Sequence, residues 1–283
     1  MTQEMTHITD EVELQEIARQ VRRDIVEMLY HAGSGHPGGS LSAADILVAL
    51  FFGVMRLKPG DPTWPKRDYF VLSKGHAAPA LYAVLARLGY FPREDLVSLR
   101  RFGSHLQGHP CAHSTPGVEI STGSLGQGLS VATGIALGAR LNGAGQRVYV
   151  LLGDGEVQEG QIWEAAMAAA HFKVDNLVAV LDRNRLQIDG RTWDVMSIEP
   201  LVDKWEAFGW HTTQVNGHSF PELLQALHAC KYFQGQPSII IAHTVKGKGV
   251  SIFEDKAKYH GVAPNKEEYE QAMRELAEQV ARA

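Results

Sequence analysis

From residue 148 onward, short apolar runs alternate with segments of helical periodicity, and few folds tolerate that alternation. Residues 148–152, 177–181, 212–215 and 238–242 read as strands, and 161–171, 201–208, 221–230 and 265–282 as helices. Upstream, Leu14, Ile17, Val21, Ile25, Met28 and Leu29 recur at helical spacing over residues 12–31, and Gly33 is placed to end that helix. A second, more buried helix is expected over 41–54, a short strand over 69–72 and a helix over 79–88. Gly, His, Pro and Ser crowd residues 103–117, which read as an irregular loop ahead of a small-residue helix over 126–141. Strands that are apolar throughout need cover on both faces. The pattern therefore predicts an α/β fold, a parallel β-sheet with helices on both faces. No repeat, low-complexity tract or Ser/Gly/Pro linker divides the chain, so a single domain over 1–283 is expected.

Composition removes several classes. A formal net charge of -5 with scattered Lys and Arg offers neither the basic face that nucleic acid requires nor a cationic block for a membrane surface. No apolar run reaches the length of a membrane span, and the polar, acidic start MTQEMTHITDEVELQ does not read as a secretory signal. Cys111 and Cys230 stand far apart without metal-ligand spacing, which suits a reducing cytosol, so a cytoplasmic location is expected.

In a parallel sheet, ligands gather at the carboxyl ends of the strands. The strand RVYVLL runs directly into Gly153-Asp154-Gly155-Glu156. Two glycines let the backbone turn tightly and approach a phosphate, and the helix containing Trp163 is expected to start there and present amide donors to an anion. Asp154 would repel a diphosphate unless a divalent cation lay between them, and magnesium, hard and oxygen-seeking, is the natural choice. The next strand, LVAVLD, ends in Asn184, and 184 − 154 = 30 residues, one helix plus one strand, bring both side chains within reach of one ion. Asp154 is expected to be exposed at the strand end. Taken alone, GDG is also a common β-turn; Asn184 after the following strand favours the metal reading.

GDGEVQEG followed by LDRNRLQIDG resembles the thiamine diphosphate signature. SGHPGGS, FVLSKGHAAPALYA, GHP, TPGVEISTGSLGQGLS and HTVKGKG leading to YHGVAPN resemble, in the same order, the cofactor-binding domain of transketolases, over residues 10 to 265. The resemblance implies magnesium held by Asp154, Asn184 and the carbonyl of Leu186. It implies a Gly155 amide donating to the diphosphate, backbone contacts to the aminopyrimidine at Gly123 and Leu125, and Ile188 against the cofactor rings. His76 and His260 would donate to the diphosphate; His36, His109 and His260 would touch the hydroxyls and carbonyl of the donor sugar. Imidazole suits that task, because ketol transfer moves protons near neutral pH. His7, His113, His171, His211, His218 and His228 read as surface or structural. Ser124 stands where many relatives have proline; it could alternatively cap the following helix. SGHPGGSLS departs from the more frequent SGHPG-Ala-Pro-Leu-Gly. Glu159 would face a partner subunit in a proton network between two active sites, against the plainer reading of surface charge on a helix.

The resemblance also implies what should come from elsewhere. In transketolases the glutamate that activates the cofactor, and the arginines that grip the sugar phosphate, lie in a separate pyrimidine-binding domain. The expectation is therefore one subunit of a split transketolase, working with thiamine diphosphate and Mg2+ on ketose and aldose phosphates, together with a separate C-terminal subunit in an α2β2 assembly. Three other readings compete: the α subunit of a 2-oxo acid dehydrogenase or a 1-deoxyxylulose phosphate synthase fragment, a cofactor-binding paralogue without turnover, and a dinucleotide-binding domain. The ordered histidine motifs oppose the first, the retained Asp154 and Asn184 the second, and the lack of GxGxxG after the first strand the third.

Overall fold

A computed structural model describes residues 4–143 and 145–278. Its centre is a five-stranded parallel sheet of order β1-β2-β3-β7-β6, formed by β1 (Tyr69–Leu72), β2 (Val148–Gly153), β3 (Leu177–Arg183), β6 (His211–Asn216) and β7 (Ser238–His243). A two-stranded ribbon, β4 (Leu186–Gln187) and β5 (Gly190–Arg191), follows β3.

Side-chain alternation along the strands divides the core in two. Phe70, Leu72, Tyr149, Leu151, Val178, Val180 and Ile240 face one helical layer. That layer contains α1 (Glu11–Ala32), α2 (Pro37–Ser42), α3 (Ala44–Val48), α4 (Ala78–Arg87), α9 (Phe220–Ala229) and α10 (Lys266–Glu278). Val71, Val148, Val150, Leu152, Ala179, Leu181 and Ile241 face α5 (Gln127–Leu141), α6 (Gly160–His171) and α8 (Leu201–Ala207) on the other side. The short α7 (Thr192–Val195) extends the ribbon.

Gly33 does close α1: at φ 61° it takes the left-handed conformation, and its N–H reaches the carbonyls of Leu29 and Tyr30. The helix expected over 41–54 instead begins at Pro37, breaks at Ala43 and ends in a π-helical turn, Ala49–Val54. An early start is natural there, because proline is well suited to the first helical turn. The closing helix is described as far as Glu278; the rest of the segment expected to reach 282 lies outside the described residues. No helix among the described residues is long and apolar enough to cross a membrane.

Candidate active site

Every strand of the sheet ends at the same edge, and the loops that follow them meet. After β1 come Ser73, Lys74, Gly75 and His76; after β2, Asp154; after β3, Asn184; after β7, Thr244 to Lys246. The parallel register that pairs Gly153 with Asp182, and Arg183 with His243, brings these four segments together.

Asp154 and Asn184 both line one cavity at the strand ends. Asp154 Oδ2 accepts the amide of Arg185, and Oδ1 accepts that of Gly155 at 2.8 Å. Asn184 Oδ1 accepts the amide of Leu186 at 3.1 Å, and the Leu186 carbonyl accepts from Lys246 Nζ at 2.8 Å. One expectation is corrected: Asp154 is not exposed but only 2 % accessible, because the walls of the strand-end cleft close around it. A second correction concerns the helix start. A 3-10 turn, Gly155–Gln158, follows Asp154, and α6 begins only at Gly160, with Glu159 at its N-cap. The amides facing the cleft are therefore those of the tight turn, and the α6 terminus lies one turn further on.

Burial pushes the Asp154 carboxyl up to about 6, with Asp182 adding to the effect. A divalent cation would offset both influences. The donor set, one carboxylate, one amide oxygen and one carbonyl, is all oxygen and suits magnesium. A cavity of about 210 Å³ opens beside these groups, bordered by His76, Leu125, Gly155, Ile188, Lys246 and His260. Ile188 is 67 % exposed at its rim, free to pack against a bound ring.

The four motif histidines converge. His36 lies 5.3 Å from His76, 6.2 Å from His109 and 5.6 Å from His260, centroid to centroid, and His76 lies 5.2 Å from His260. Burial makes each a weaker base than usual, and neighbouring cations add to it. His36 is lowered to about 4, with Arg100 contributing, and His260 to about 3, with Lys246 contributing. His109 is lowered by burial and Arg100, and His76 well below its ordinary value by burial and Lys74. The cluster is thus a set of neutral imidazoles at physiological pH. Among the described residues, His36 Nδ1 and Thr122 Oγ1 are buried without a hydrogen-bond partner, which leaves them able to take up a ligand's polar groups. His109 is set by Tyr82, whose hydroxyl donates to the carbonyls of Gln107 and His109 at 2.9 and 3.1 Å.

Gly123 (φ 155°) lies against His109, whose Cδ2 would be 3.3 Å from a Cβ there. Ser124 does not cap α5. Gly126 holds the N-cap position at φ 85°, and its amide is taken by the buried Glu156 carboxylate at 2.9 Å. Glu156 also accepts from Gly153 N–H and Ser73 Oγ–H, tying the ends of β1 and β2 to the start of α5. Glu159 is exposed beside the Gly126 loop.

Sequence reasoning missed the buried charges beneath the cleft. Lys74 donates to Asp182 and, at 2.9 Å, to the Gly39 carbonyl; Asp182 also accepts from Ser42 and Thr244. Burial pushes the Asp182 carboxyl up, but Lys74 and these hydrogen bonds outweigh it, leaving it below its ordinary value. Lys246 donates to the Leu186 carbonyl and to His260 Nδ1, both at 2.8 Å, and burial pulls it down to about 8. Both lysines stand inside the motifs SKGHA and HTVKGKG, so the only available signal was position. Gly38, within SGHPG, is closely packed: a Cβ there would lie 2.9 Å from Lys246 Cγ and from the Tyr259 carbonyl; Gly39, where the more frequent pattern has alanine, would put a Cβ 3.2 Å from His76 Nε2.

The family described as "Transketolase, thiamine diphosphate binding domain" matches residues 13–280. The chain is 48 % identical over 259 residues to one of the subunits of the apulose-4-phosphate transketolase of Phocaeicola vulgatus, covering 92 % of each protein. It is 45 % identical to 6-deoxy-6-sulfo-D-fructose transketolase subunit SqwG of Clostridium sp., covering 96 % of this chain and 98 % of that protein. Its fold matches the crystal structure of transketolase from Campylobacter jejuni with a TM-score of 0.89 and 36 % identity, over 95 % of this chain and 43 % of that one. The chain thus spans nearly the whole of the subunit relatives and under half of that single-chain enzyme. It belongs to the transketolase family and carries that family's thiamine diphosphate-binding domain.

Proposed function

We propose that this protein acts as the thiamine diphosphate- and magnesium-holding subunit of a two-component, cytoplasmic transketolase. It transfers a two-carbon ketol unit from a ketose phosphate or a related anionic ketose to an aldose, together with a separate subunit that supplies the pyrimidine-binding half. The clustering of four neutral imidazoles, with His76 and His260 bordering the same cavity as Asp154, Asn184 and Leu186, carries this reading. The subunit names and matching lengths of its relatives support the division into two chains.

When bound, thiamine diphosphate supplies the electron sink for the transfer. Asp154, Asn184 Oδ1 and the Leu186 carbonyl would hold magnesium, and Gly155 N–H, His76 and Lys246 would bind the diphosphate, the Leu186 carbonyl and the Gly155 amide turning to these groups from Lys246 and Asp154. Lysine is a donor only, so His260 Nδ1, which receives Lys246, is the acceptor nitrogen. The neutral His260 ring therefore carries its proton on Nε2, ready to donate to a diphosphate or sugar oxygen. His36 and His109 accept and return protons at the carbonyl oxygen and hydroxyls of the sugar. Leu125 and Ile188 would pack against the cofactor, and Glu159 would face a partner subunit.

Calorimetry on the assembled complex tests the metal assignment. Asp154→Ala should lose magnesium-dependent cofactor binding while the chain stays folded, because losing two backbone hydrogen bonds is offset by removing a buried carboxylate. Unchanged cofactor affinity would remove Asp154 from the metal site. Assaying the complex with a panel of ketose and aldose phosphates, plus a sulfonated ketose, identifies the sugars; absence of two-carbon transfer across the panel would contradict the reading.

A further inference from the structure

Lys246 reaches the cleft from the segment that follows β7, and that segment is gripped from behind the site. The Val245 amide donates to His218 Nε2 at 2.8 Å. The other ring nitrogen, Nδ1, lies 2.7 Å from Asp45 Oδ2. Arg22 donates to the same oxygen at 2.5 Å through one terminal nitrogen and, through Nε, to the Lys248 carbonyl at 3.0 Å. One carboxylate on α3 therefore holds two side chains, one from α1 and one from the loop after β6. Between them these bind the first amide and the last carbonyl of the tetrapeptide Val245-Lys246-Gly247-Lys248. Inside that grip, Gly247 donates to the Gly38 carbonyl at 3.0 Å. Arg22 and Asp45 are 7 % and 5 % exposed, His218 is partly buried, and the three line one wall of a groove of about 760 Å³ beside α1.

The hydrogen-bond directions select one state of His218. An amide N–H can donate only to an unprotonated Nε2, and a carboxylate can receive only from Nδ1–H, so the ring is the neutral Nδ1–H tautomer. Asp45, kept ionised by Arg22, enforces that tautomer. The arrangement is the one by which an oriented imidazole commonly transmits the placement of a carboxylate to a group it binds.

We propose that the Arg22–Asp45–His218 cluster positions Lys246 for the diphosphate by holding the peptide on either side of it. This rests on the reading of the cleft given above. The three residues touch neither the cavity beside Asp154 nor the histidine cluster; they are positioning residues that act through Lys246.

Two substitutions separate the two hydrogen bonds of His218. His218→Asn keeps a donor at the depth of Nδ1 but offers Val245 no acceptor. His218→Gln places an amide oxygen at the depth of Nε2. Amide hydrogen exchange at Val245, measured on the chain by itself, should be accelerated about tenfold or more by Asn and stay within about threefold for Gln. Thiamine diphosphate affinity, measured with magnesium on the complex with its partner, should weaken about tenfold for Asn and recover to within about threefold for Gln. In a Lys246→Met background, His218→Asn should weaken affinity little further, because the route through Lys246 is already gone. A general structural effect would instead add in full. Should His218→Asn fail to fold, Asp45→Asn is measured in the same cycle, with the same non-additivity expected. Unchanged protection of Val245, equal affinity losses for Asn and Gln, or full additivity with Lys246→Met each overturns the proposal. If the wild-type complex binds no thiamine diphosphate, the functional reading falls on that result, while exchange at Val245 still decides whether His218 holds the segment.

Discussion

The histidines illustrate how residue type and placement separate. The chain has 13 of them, and the four in family motifs gather around His36, whose ring neighbours those of His76, His109 and His260, while the partly buried His218 joins Asp45 and His113 and His171 are exposed. Position in a motif was legible; the chemistry of each ring was not, because it depends first on burial and then on cations such as Lys246 and Arg100 that approach from distant segments. Two expectations follow for the active complex. His76→Ala should weaken cofactor binding, and His109→Ala should lower turnover by about 10²-fold or more with little effect on cofactor affinity. Indistinguishable behaviour in titration and steady-state kinetics would contradict the division of roles. A third concerns pH. His36 in the folded chain holds a proton less tightly than the ordinary 6.5, down to about 4. Its contribution to stability is therefore whole above 6.5 and is lost as pH falls through about 4, since in that interval the unfolded chain gains a proton that the folded one refuses. Histidine NMR should show the His36 ring neutral from pH 8 to about 5; a midpoint near 6.5 would contradict the buried cluster.

At the level of elements, the strands were the most legible part of the sequence. Tyr69–Leu72 falls where the apolar run places it, and the others differ by a residue or two at their ends, because strands buried on both faces leave an unbroken apolar signal. What escaped was short or non-local. The β4–β5 ribbon, α7 and the π-turn at Ala49–Val54 carry no periodicity long enough to detect. The Glu156 contacts that seat α5 join residues up to 83 positions apart. The glycines of α5 allow a direct test of that seating. A Cβ on Gly128 would lie 2.7 Å from Ser73 Cα, whereas among the described residues nothing beyond its own helix lies within 4 Å of one on Gly134. Gly128→Ala should destabilise the chain by about 1–3 kcal/mol through overpacking against backbone. Gly134→Ala should be neutral or stabilising by up to about 1 kcal/mol through helix propensity. Chemical denaturation of both variants measures this, and equal effects would show that α5 does not rest on β1 as described.

The molecule as a whole gathers its candidate site at one edge of its sheet. Under the proposed function, Asp154, Asn184, Leu186, His76 and Lys246 would provide the diphosphate side, and the partner would approach the rim at Leu125, the exposed Ile188 and the exposed Glu159. An obligate interface that closes such a site commonly buries more than about 2,000 Å². Light scattering should therefore find an α2β2 complex once the partner is added. The most direct measurement of the central claim is two-carbon transfer between a ketose phosphate and an aldose phosphate. It is assayed with thiamine diphosphate and magnesium for this chain by itself, for the partner by itself, and for their mixture. The expected result is turnover in the mixture only, abolished by Asp154→Ala in this chain. Full transfer by this chain in the verified absence of a partner, or by the partner without it, would contradict the account.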